Sequence, residues 1–303
     1  MAGQFQLAHA DIVIGAAIIA GGPFGCAESA IAGWLPGAAA AANLGRAVSV
    51  CMLGQMRAFG QPDAAQLAAR ARALAANGAI GRISDVASDR VYLFSGRSDA
   101  IVVDSVVAAA ADFYRALGVP DKHLKVVLSI PAGHGFVAPG AKAACARNGS
   151  PYLVGCPYDQ AGDLLSHLYG KLRPASAQHQ GRFLVFDQAA FVPPNRESGL
   201  AREGFIYVPP ACATAPGCRL HVSFHGCSQN VATIGRAFVT GSGLARRADT
   251  NRIVVLFPQV AVSVVNPQGC WDWWGYTGRD FLTRHAPQIA AVRAMLDRLA
   301  ARH

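Results

Sequence analysis

Five short apolar runs, residues 12–20, 91–95, 125–130, 220–224 and 253–257, are strung along this chain with longer helix-patterned stretches between them. A run of this length that is apolar at nearly every position reads as a strand buried on both faces. Residues 100–117 are rich in alanine and valine and stop at Gly118, with Pro120 just after, which predicts a helix. Residues 161–172 predict another. Ile289, Val292, Leu296 and Leu299 form a stripe at helical spacing, with Arg293, Arg298 and Arg302 off it. Strands alternating with helices predict an α/β fold, a mostly parallel sheet flanked by helices. With 52% hydrophobic and 15% charged residues among 303, the chain is too apolar for disorder and long enough to bury a large core. No repeat or linker interrupts it, so residues 1–303 read as a single domain.

Composition also narrows the partners. The formal charge of +9 comes from scattered basic residues, the longest run being Arg246-Arg247, and no recognition motif accompanies them. That is a basic surface and not a nucleic-acid site. The apolar segment 12–20 is about half the length a membrane span needs. No cysteine–histidine cluster has metal-site spacing, and no metal or other cofactor is expected.

Eight cysteines, Cys26, Cys51, Cys145, Cys156, Cys212, Cys218, Cys227 and Cys270, stand in loop-like surroundings, and none forms a CxxC pair. An even set of this kind predicts disulfides and an oxidising compartment. Bridges between sequence neighbours (26–51, 145–156, 212–218 and 227–270) are favoured, although counting alone leaves the pairing open. The opening Met1-Ala2-Gly3-Gln4-Phe5 has no basic, then apolar, leader pattern. The cysteines therefore predict export while the first residues carry no export signal.

In parallel sheets the reactive side chains gather in loops after the strands. After 91–95 comes Gly96-Arg97-Ser98-Asp99; after 125–130 comes Pro131-Ala132-Gly133-His134. An acid after one strand and a histidine after the next match the rear of a hydrolase triad, in which histidine takes a proton and the carboxylate fixes its tautomer. Taken singly, Asp99 could cap the following helix and His134 could be an ordinary loop residue. After 220–224 comes His225-Gly226-Cys227, where such hydrolases place an oxyanion-hole amide, here that of Cys227. His225 reads as a loop-shaping residue and not as a base. Trp271, Trp273 and Trp274 follow Cys270; a 227–270 bridge would bring them beside the oxyanion loop, where aromatics suit an apolar acyl chain. Trp273 and Trp274 read equally well as core.

The acid and histidine here precede the His-Gly loop, the reverse of the usual α/β-hydrolase order. In this the chain resembles the extracellular poly(3-hydroxybutyrate) depolymerases of fungal type, a circularly permuted α/β-hydrolase family. The resemblance runs over nearly the whole length, through Ala20-Gly21-Gly22-Pro23-Phe24-Gly25-Cys26, Ser95-Gly96-Arg97-Ser98-Asp99, His134, Tyr158-Asp159-Gln160-Ala161-Gly162, Leu220-His221-Val222-Ser223-Phe224-His225-Gly226-Cys227, Phe257-Pro258-Gln259 and Gly269-Cys270-Trp271-Asp272-Trp273. It implies that Asp99 and His134 are the triad acid and base, that Cys227 marks the oxyanion loop, and that Trp271 lies at the substrate site. It implies the four bridges above, 227–270 most firmly, and a secreted or periplasmic full-length enzyme. The implied activity is hydrolysis of polyhydroxybutyrate or related polyester oligomers; the rivals are a carboxylesterase for feruloyl or acetyl esters and a non-catalytic polyester-binding protein.

In that family the nucleophilic serine stands in a strand and elbow reading Gly-Leu-Ser-Ser-Gly-Gly-Tyr-Met-Ala. Met1-Ala2-Gly3-Gln4 matches the residues just past it. The resemblance thus implies that this chain lacks the serine and its strand, and is inactive as written. Gly241-Ser242-Gly243 is too short to supply a second elbow.

Overall fold

The computed structural model describes residues 1–29, 39–52 and 62–301. Arg302, expected beside the last helical stripe, lies outside them. Three strands, β1 (Gly15–Ile19), β2 (Arg90–Phe94) and β3 (Leu124–Val127), form a parallel sheet in the order β1-β2-β3. Ile18 stands opposite Leu93, and Leu93 opposite Val126. Three very short strands, β4 (Phe136–Val137), β5 (Ala143–Ala144) and β6 (Leu153–Gly155), make a small parallel patch. The remaining four, β7 (Arg182–Asp187), β8 (Glu203–Val208), β9 (Arg219–Val222) and β10 (Ile253–Phe257), form a second sheet in the order β7-β8-β10-β9. There β10 runs parallel to β9, but β8 is antiparallel to both β10 and β7. The architecture is α/β as expected, with its strands divided between separate sheets and β8 paired antiparallel on both sides, which the apolar runs did not predict.

The uninterrupted apolar runs are explained by cores on both faces. Along β2, Val91 and Leu93 pack among Val106, Val107 and Phe113 of the helix Asp104–Ala116. Tyr92 and Phe94 point the other way, into Leu164, Leu165 and Leu168 of the helix Gln160–Tyr169. Along β10, Ile253, Val255 and Phe257 share that second core, while Val254 and Leu256 meet Ile289, Val292 and Met295 of the helix Pro287–Ala300. Of the predicted helical stripe, Ile289 and Val292 are buried, while Leu296 and Leu299 are half-buried against the same core. Asp104 lies in the first turn and Arg115 in the last turn of their helix, each complementing its dipole. The side chain of Asp159 accepts the Gly162 amide at 2.9 Å and starts the helix that follows.

Two strands do not fit that pattern. β1 is apolar throughout and β9 carries Leu220 and Val222, yet only Ala16 of β1 is fully buried and no residue of β9 is. Among the described residues β1 pairs only with β2, and β9 only with β10. The free edges of both line one cavity of about 1110 Å³. An unpaired edge offers a row of open backbone donors and acceptors.

The cysteines pair as 26–51, 145–156, 212–218 and 227–270, as the sequence favoured, and no described cysteine is free. The 227–270 bridge closes the longest loop, with a separation of 43 residues, and on chain-entropy grounds contributes about 4 kcal/mol. Among the described residues no helix is long and apolar enough to cross a membrane.

One buried acid makes stability depend on pH. Asp89, at the foot of β2, accepts the Gln6 amide at 2.8 Å, and Gln6 in turn accepts the Tyr114 hydroxyl at 2.7 Å. Burial, chiefly, raises the Asp89 carboxyl from 3.8 to about 7. The folded state therefore holds its proton where the unfolded chain has lost it, and stability falls as pH rises between those two values. Asp89→Asn should stabilise the protein at pH 8 by up to about 4 kcal/mol and change little near pH 4. Urea unfolding at the two pH values measures the difference.

Candidate active site

The acid and the histidine meet. Asp99 Oδ2 lies 2.9 Å from His134 Nδ1, with the carboxylate side chain 1% exposed and the imidazole 24%. The other carboxylate oxygen accepts the amides of Ile101 at 2.9 Å and Val102 at 2.8 Å. Asp99 thus orders the turn ahead of its helix and holds the histidine as well; the helix itself begins only at Asp104. Against an ionised carboxylate Nδ1 must donate, which leaves Nε2 free to accept a proton. Both loops are fastened together: the Arg97 amide donates to the Ile130 carbonyl at 2.8 Å and the Ser98 amide to Ala132 at 2.9 Å.

His134, Cys227 and Trp271 all line the cavity between β1 and β9; Asp99 stands behind His134. The Cys227 amide donates to no group among the described residues. The loop around it is tied down by hydrogen bonds. Gly226 donates its amide to Gln229 Oε1 at 2.8 Å, and Gln229 Nε2 donates to the Tyr152 carbonyl at 2.7 Å. His225 donates from Nδ1 to the Gly226 carbonyl at 2.8 Å and accepts the Val260 amide at Nε2, 3.2 Å away. Burial pushes its imidazole down to about 4, so it is neutral and fully engaged in shaping the loop.

Trp271 is 4% exposed and set edge-on against Phe224, ring centres 4.9 Å apart. Its indole N–H has no acceptor among the described residues. Trp274 is buried in the core under β2, with Trp273 packed partly against it. Ser242 is fully buried between two short helices, its hydroxyl without a hydrogen-bond partner among the described residues. Among the described residues no hydroxyl is hydrogen-bonded to His134 Nε2. Asn148, Tyr152 and Gln229, which tie the loops together, carry no signal in the sequence.

Parallel strands flanked by helices, an acid–histidine pair after consecutive strands and an unengaged amide after a third are the framework of a permuted α/β-hydrolase. No family model matches the chain. A poly(3-hydroxybutyrate) depolymerase from Delftia acidovorans is 35% identical over 305 residues, covering 99% of this chain and 57% of that protein. A polyhydroxybutyrate depolymerase from Talaromyces funiculosus is 29% identical over 311 residues, covering 96% and 84%. The crystal structure of a PHB depolymerase from Penicillium funiculosum superposes with a TM-score of 0.82 at 27% identity, over 98% of this chain and 91% of that one. A serine-to-alanine variant of a PHB depolymerase, complexed with an R3HB trimer, superposes equally well. In sequence and in fold the chain is similar to these PHB depolymerases. It spans little more than half the length of the Delftia relative.

Proposed function

We propose that this chain is the greater part of a secreted serine esterase that cleaves polyhydroxybutyrate or its oligomers, with residues 1–303 forming one domain. The observation that carries this reading is the 2.9 Å pair Asp99–His134 opening onto the cavity that also holds the unengaged Cys227 amide. Four disulfides support export. The nucleophile belongs on a strand seated between β1 and β9, whose free edges and half-exposed apolar side chains it would cover.

With a serine so placed, His134 Nε2 takes the hydroxyl proton as oxygen attacks the ester carbonyl. Asp99 stabilises the imidazolium, and the Cys227 amide holds the developing oxyanion. The imidazolium then protonates the departing hydroxyl group of the next monomer. Water, activated by the same histidine, releases the acyl group from serine. Among the described residues no hydroxyl is hydrogen-bonded to His134 Nε2. As written, the chain should hydrolyse p-nitrophenyl butyrate no faster than its His134→Ala variant. Turnover above that control, abolished by a serine-directed phosphonate, would mean that another serine serves.

A further inference from the structure

We propose that the loop closed by Cys145 and Cys156 is a positioning clamp, with Asn148 and Tyr152 holding the acid, base and oxyanion segments in mutual register. The inference rests on the reading of Asp99 and His134 as the acid–base pair. Asn148 uses its whole hydrogen-bonding capacity on the backbone around that pair. Its Oδ1 accepts the amides of Ala100 at 2.9 Å and His134 at 2.8 Å. Its Nδ2 donates to the carbonyls of Ser98 at 2.8 Å and Ala146 at 3.2 Å. One side chain on the surface therefore grips the residue before Asp99, the residue after it, and His134 itself. None of these bonds reaches the core.

Tyr152 extends the clamp to the oxyanion loop. Its ring meets the His134 imidazole edge-on, centres 5.8 Å apart at 85°. Its carbonyl accepts both the Phe136 amide at 2.8 Å and Gln229 Nε2 at 2.7 Å, and Gln229 in turn holds Gly226. A φ of +56° puts Tyr152 in the left-handed region, a conformation that costs a non-glycine residue energy and persists where the surroundings enforce it. The base loop lies so close to the clamp that side chains are excluded. A Cβ on Gly133 would stand 2.2 Å from the Arg147 carbonyl oxygen, and one on Gly135 would stand 2.8 Å from that of Tyr152. A displacement near 1 Å at such a site is enough to cost about 10²-fold in rate.

The test needs no nucleophile and uses the chain as it stands. Proton NMR of the 303-residue protein should show a downfield Nδ1–H resonance from His134 that Asp99→Asn removes. Asn148→Ala should halve that resonance or lose it to exchange with water while the melting transition stays cooperative. Asn148→Asp, which keeps both acceptor bonds, should restore it. If Asn148→Ala does not fold, Asn148→Ser carries the same two outcomes. No downfield resonance in the parent protein, or one that survives Asp99→Asn, would overturn the acid–base reading itself. A resonance that Asp99→Asn removes but that folded Asn148→Ala or Asn148→Ser leaves at full intensity would overturn the clamp alone.

Discussion

Joining an apolar strand and a Gly-Leu-Ser-Ser-Gly-Gly-Tyr elbow ahead of Met1 should raise esterase activity and the melting temperature together. Both effects follow from one insertion. The free edges of β1 and β9 face a common cavity of about 1110 Å³, and His134 and the Cys227 loop line it. A strand of five residues would make roughly ten ladder bonds there, each worth about 1 kcal/mol net. Ordering five residues costs about 1–2 kcal/mol apiece, so burial of the flanking apolar side chains decides the balance. A net gain of ~2–3 kcal/mol corresponds to about 3–5 °C in a domain of this size. The kinetic effect is far larger. In subtilisin, loss of the serine alone costs about 10⁶ in kcat, and supplying a serine to an intact base and oxyanion amide should recover a gain of that order. Stopped assays on p-nitrophenyl butyrate and on the hydroxybutyrate trimer, beside a thermal melt, measure both effects.

Within that restored protein, Asp99→Asn should lower kcat by about 10⁴ while KM moves little. The carboxylate accepts a hydrogen bond from His134 Nδ1; an amide in its place can donate there and drive the proton onto Nε2, where it blocks the base. The fold should survive, because the substituted side chain keeps an oxygen for the Ile101 and Val102 amides. A melting temperature within a few degrees of the parent, alongside the collapsed kcat, separates lost catalysis from lost structure.

The parts of this site that could be read in the sequence are those with a local pattern. Asp99, His134 and Cys227 each follow an apolar run, and strands buried on both faces produce such runs, as the opposed packing of Val91 and Tyr92 on β2 illustrates. The limits of those runs were less legible: residues 12–20 contain β1 only from Gly15 to Ile19, and residues 125–130 hold β3 only to Val127. β4, β5 and β6 have two or three residues each, too few for any periodicity to register. The first helix, Ala2–Ala8, was hidden for another reason. Its buried face includes Gln4 and Gln6, whose amides are satisfied by the Asp272 and Phe281 carbonyls and by Asp89. Buried glutamine reads as a surface residue until its partners are known. Asn148 and Tyr152 belong to the same class, since bonds between a side chain and a distant backbone have no period and no fixed spacing.

The central claim is that a serine delivered into the cavity between β1 and β9 is activated by His134. Its most direct measurement is phosphonate labelling of the restored protein followed by peptide mass spectrometry. The account predicts one adduct, on the elbow serine, whose rate of formation collapses in the His134→Ala variant. An adduct on a different residue, or labelling at an undiminished rate after His134→Ala, would contradict it.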